Sequence, residues 1–462
     1  MLDNPIFLLI GILAGCLFFI YVLVISIESY SKTLILIFTF SFFQGVIQLM
    51  GIPTIVPRFI LELAIMVLFL KTIYLCQKKR IVMQFKWGSW MASIFAITIF
   101  SAIINKQDPL SFLLFCRHTF IFYLLFVTIY NTSMLKQDIQ KINRWIIGLL
   151  VIQIPAAIIK LFVYGRIVEG GGIGTISVRD GSAALLISLI PISFLFSKYL
   201  YKRKVFYLIL CLLFLIVSIA SGKRATGFVL PIMLSFIVLN YLFLENRNRI
   251  IKIIKFSFGV IIMSLSILYI TSQTSVLLNP EGRAFSGAFD LGFMYDRMVL
   301  YTMASETIHP GAGRGKGLQE TYNYISSKGT EKIVLGFGPG SIIESFLVEG
   351  GRSYQTIHNL SYGSRSGFIW FFLQIGLLGA LLYLLFIINW FFSVRNIYKL
   401  KMYSQEEAPI LLGIMGCIFL LFFDFSFYSI SFIVNGVTMP LLLYISAVYL
   451  SPIRLVPQDS SV

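Results

Sequence analysis

Charge is what this chain has least of: 12% of its 462 residues are Asp, Glu, Lys or Arg, where a soluble domain carries about a quarter. That deficit excludes a soluble globular protein. Cysteine is sparse too, and the 5 present, Cys16, Cys76, Cys116, Cys211 and Cys417, fall in or at the ends of apolar runs. None lies in the longest polar stretch, which argues against a disulfide framework or a cysteine metal cluster. Acidic residues are few, 20 against 37 Lys and Arg, for a net charge of +17. In a membrane protein such an excess reflects cytoplasmic loops, so no nucleic-acid partner is expected. No basic segment precedes the first apolar run and no small-residue cleavage site is evident, so that run is expected to be a retained helix.

What the chain has in abundance is apolar sequence, 58% hydrophobic and 16% aromatic. Runs long enough to span a bilayer occur near residues 5 to 27, 33 to 51, 58 to 76, 87 to 104, 110 to 130, 145 to 164, 181 to 199, 205 to 221, 225 to 244, 254 to 272, 366 to 392, 408 to 424 and 427 to 450. The expectation is an all-α polytopic membrane protein with about 13 transmembrane helices, in a range of roughly 12 to 14. Residues 1–462 then form a single integral membrane domain. Alternate connections differ in basic content. One set carries Lys78, Lys79 and Arg80, then Lys136, Lys141 and Arg144, then Lys202, Arg203 and Lys204, then Arg247 and Arg249, then Arg395 and Lys399. The intervening short connections hold few basic residues, which assigns the rich set and the carboxyl end to the cytoplasm. By the same alternation the long polar stretch 273–365, between the tenth and eleventh spans, lies outside. It is expected to form short helices and turns over the bundle.

That loop is basic, with Arg283, Arg297, Arg314, Lys316, Lys328, Lys332, Arg352 and Arg365 beside His309 and His358. Such a surface suits an anionic ligand or anionic headgroups equally well. Gly311-Ala312-Gly313-Arg314-Gly315-Lys316-Gly317 lacks the spacing of a phosphate-binding loop and faces away from nucleotide pools. Within the spans, Arg117-His118 is an ionisable pair about two turns from the outer end of its helix, a functional hypothesis by default. The alternatives are that Arg117 snorkels outward or pairs with another helix. Arg179-Asp180 stands where an external loop meets a helix, as an N-cap and its neighbour or as a phosphate contact. Glu62, Lys160 and Asp424 also lie in or near spans, without partners assignable from sequence.

Four short motifs share the expected external side. They are Ser221-Gly222-Lys223-Arg224; Arg297 followed by Tyr301; Leu335-Gly336-Phe337-Gly338-Pro339-Gly340-Ser341; and His358-Asn359 followed by Gly376-Leu377-Leu378-Gly379. Their order resembles the signature of the O-antigen ligase and polymerase family. Tyr301 stands where that family commonly has Trp, and Lys223 where it often has Ser. The resemblance implies a GT-C-like fold and glycosyl transfer from an undecaprenyl-diphosphate-linked oligosaccharide at the outer face of a bacterial cytoplasmic membrane. It implies no cofactor or metal. His358 would be the general base, Arg224 and Arg297 would hold the diphosphate, and Lys223, Tyr301 and Asn359 would bind substrate; Arg117 and Arg179, from their positions in the chain, are further candidate substrate contacts. Expected partners are membrane lipid, a chain-length regulator and a flippase. The leading expectation is a polymerase of O-antigen or capsular repeat units. The alternatives are a ligase onto lipid A core and, more distantly, a transporter of lipid-linked sugars.

Overall fold

The computed structural model describes residues 20–50, 52, 55–79, 82–132, 134–164, 175–176, 181–220, 225–245, 314–342, 366–400, 403–429, 431–434 and 436–451, with a few isolated positions between 266 and 296. Every regular element among them is helical. In chain order these are α1 (Tyr30–Phe42), α2 (Gln44–Leu49), α3 (Ile55–Lys78), α4 (Gly88–Ile104), α5 (Pro109–Tyr130), α6 (Lys136–Val151), α7 (Gln153–Tyr164), α8 (Gly181–Lys202), α9 (Val205–Ala220) and α10 (Thr226–Leu244). Two short helices of the polar loop follow, α11 (Arg314–Ser326) and α12 (Thr330–Leu335). Then come α13 (Gly367–Lys399), α14 (Ala408–Phe423), a π-helical turn (Asp424–Tyr428), α15 (Ser431–Val434) and α16 (Thr438–Leu450).

Seven helices among the described residues are long and apolar enough to cross a membrane, and Tyr30–Phe42, Gly88–Ile104, Val205–Ser218 and Thr438–Leu450 are shorter apolar helices. The expected spans near 33–51 and 427–450 are thus present as broken pieces; nearly all of the run near 254–272 lies outside the described residues, as does most of that near 5–27.

Several spans are interrupted, and each interruption has a chemical cause. Pro155 has no N–H for the Val151 carbonyl one turn earlier, so the helix breaks at Ile152 between α6 and α7. The α1–α2 break at Phe43 exposes backbone groups that lipid could not satisfy. A buried segment does so instead: the Thr175 carbonyl accepts from Gly45 N at 2.8 Å, and the Thr175 hydroxyl donates to Phe42 O at 2.6 Å. Gln153, buried beside the α6–α7 break, closes the knot by accepting from Thr175 N at 2.9 Å. In the π-helical turn, buried Asp424 accepts from Phe432 N at 2.8 Å and from the Ser429 hydroxyl, tying α14 to α15.

The core is aromatic. Trp87 stacks on Phe126 with ring centres 4.6 Å apart, Phe115 on Trp370 at 5.3 Å, and Phe371, Tyr383 and Phe425 meet between α13 and the π turn. These rings join α4, α5, α13 and α14 into one packed unit.

Polar contacts separate the connections into two ends. At one end Tyr30 meets Thr72 (2.9 Å), Gln84 pairs with Asn131, and Glu245 accepts from both Tyr201 and Tyr398. At the other, residues 101–111 meet the loop helices and the start of α13. Among the described residues, the connections at 79–87, 131–135, 202–204 and 400–407 fall at the first end and the loop helices of 314–342 at the second.

Candidate functional site

α13 is not continuous. Ile375 (φ −123°, ψ 18°) and Gly376 (φ 72°, ψ −178°) leave the helical region, freeing carbonyls within the bundle. The turn after α12 takes them up: Phe337 N donates to Leu373 O at 2.7 Å and Gly338 N to Gln374 O at 3.0 Å. The Gln374 side chain accepts in turn from Gly340 N at 2.8 Å. From α4, the Ser101 hydroxyl reaches Leu335 O at 2.5 Å and Gln374 O at 3.2 Å, and Lys332 pairs with Asn105 at the α4 terminus.

Four glycines of the two motifs are required by this docking. Gly336, Gly338, Gly340 and Gly376 all have positive φ, and a Cβ on them would run into Gln374, Gln107, Ser111 and Val334 respectively. Two motifs that sequence could only place in order, Leu335–Ser341 and the glycines of Gly376-Leu377-Leu378-Gly379, therefore form one interlocked structure against α4 and α5. The span expected near 366 to 392 is thus interrupted, and Gly376, the first glycine of the second motif, is the helix break. The Ser341 hydroxyl oxygen is buried there with no partner among the described residues.

A second cluster lies nearby in the bilayer-spanning part of α3 and α5. Glu62 is buried with its side chain 9% exposed, and each of its oxygens takes one arginine: Arg58 Nε at 3.1 Å and Arg117 Nε in a short contact. Arg58 Nη2 also meets His118 Nδ1 at 2.7 Å. A guanidinium only donates, so His118 Nδ1 must be the acceptor and its ring neutral. Two guanidinium groups then face one carboxylate, leaving one positive charge in excess. Of the two alternatives weighed for Arg117, pairing with another helix is the one realised. Glu62, to which the sequence assigned no partner, takes Arg58 four residues earlier on its own helix and Arg117 from α5.

Among the expected site residues Arg117 is described, whereas Arg179, Lys223, Arg224, Arg297, Tyr301, His358 and Asn359 lie outside the described residues. So does His309. The structure adds Ser101, Asn105, Gln374, Arg58 and Glu62 to the polar groups around this end. Gln374 had a weak signal, a lone amide in the apolar run Phe368–Leu378; Ser101 had none. Compared with known proteins, the chain matches no family model and no curated relative.

Proposed function

We propose that this polytopic membrane protein is a glycosyltransferase that polymerises undecaprenyl-diphosphate-linked repeat units of O-antigen or capsule at the outer face of the bacterial cytoplasmic membrane. The observation that carries the reading is the interlock of Leu335–Ser341 with the α13 break, since it joins in space two of the motifs on which the family resemblance rests. A loop end docked in this way is the kind of support a reaction centre needs.

In this reading the acceptor sugar hydroxyl attacks the anomeric carbon of the donor and gives its proton to neutral His358. A new glycosidic C–O bond forms as the bond from the anomeric carbon to the diphosphate oxygen breaks, and the diphosphate leaves with the electron pair. Arg224 and Arg297, with Arg117, stabilise the developing charge by bidentate contact, which their planar, permanently charged forks favour. Lys223 and Arg179 add positive charge, Tyr301 stacks on sugar, and Asn359 orients a hydroxyl. The ligase reading uses the same chemistry with lipid A core as acceptor.

A transporter of lipid-linked sugars has one observation in its favour, the broken spans, which transporters use to hold substrate. Here the freed backbone groups at Phe42, Gly45, Leu373 and Gln374 are taken by the protein's own Thr175, Phe337 and Gly338, and so are not left for a ligand. Purified protein supplied with lipid-linked repeat units separates the readings. A ladder of products on the polyprenyl diphosphate supports polymerisation; product on lipid A core indicates the ligase; translocation without a new bond overturns transfer. In the same assay, His358→Ala should keep donor binding and lose roughly 100-fold in turnover. The wild-type rate should climb with pH through about 6 to 7, as imidazole becomes neutral. Equal turnover per folded molecule would remove His358 as base.

A further inference from the structure

We draw no further inference here: the strongest candidate, the groove between α3, α4 and α5 that opens sideways beside the Glu62–Arg117 ion pair, adds nothing to the phosphate-binding role already proposed for Arg117, and nothing in the structure shows what covers it.

Discussion

Glycine shows most clearly what a single residue does in this protein. Gly376 holds a φ of 72° while its α-carbon faces the Val334 carbonyl, so any Cβ there meets backbone that cannot move aside. Gly376→Ala should therefore cost roughly 3 kcal/mol, combining left-handed strain with overpacking. Gly148→Ala is its counterpart: this glycine sits inside α6 with open space where the Cβ would go, and alanine there should stabilise by about 0.5 to 1 kcal/mol. Denaturant unfolding of both variants in detergent checks the pair; equal effects would mean that the α13 break is not rigidly docked. Glu62 gives a second contrast. Removing it strands two guanidinium groups, so Glu62→Gln should destabilise by about 3 kcal/mol or more, and by more than Arg58→Gln, which leaves the Glu62–Arg117 pair intact. A smaller loss for Glu62→Gln than for Arg58→Gln in the same unfolding assay would show that the carboxylate does not hold the cluster. Sequence displayed Gly376 and Glu62 as a motif member and an isolated charge; their reasons lie in contacts to residues 42 and 55 positions away, which no local pattern carries.

Among the elements, α5 illustrates how a helix start can be read directly. Asp108 precedes Pro109, and the Asp108 carboxylate accepts from Ser111 N at 2.9 Å, the cap that this spacing announces. Those Ser111 hydrogen bonds hold the carboxyl below its ordinary value of 3.8. Its contribution is therefore complete above about pH 4 and is lost as pH falls through the depressed value. Asp108→Ala should cost about 1 kcal/mol at neutral pH and should match wild type once the pH is low enough to protonate the cap. A cost that persists unchanged in acid would point to packing in place of the cap. The α6–α7 break has a local cause in Pro155, but Pro191 and Pro231 lie inside continuous helices, so proline alone does not announce a break. The α1–α2 break has no local cause. No proline or positive-φ glycine marks Phe43, and the group that stabilises it, Thr175, arrives from a different loop. Helix interruptions with a local cause leave a mark in the chain, though not a decisive one, whereas those held by tertiary hydrogen bonds leave none.

For the molecule as a whole, the sequence feature that mattered was the alternation of basic connections, and the structure places the described ones together at one end of the bundle. Lys202 closes α8 at that end, close in sequence to Tyr201, which bonds Glu245. Lys328 lies between α11 and α12 at the other, where Lys332 and Leu335 meet α4. Both residues are exposed, so both report their side faithfully. With the 5 native cysteines replaced, a cysteine at position 328 in intact cells should react with a membrane-impermeant maleimide, and one at 202 should react only after permeabilisation. Position 352, in the part of the loop outside the described residues, should behave like 328. The reverse pattern would put the loop in the cytoplasm. The proposed transfer reaction would then be excluded, because His358, Arg224 and Arg297 would face away from lipid-linked units at the outer face.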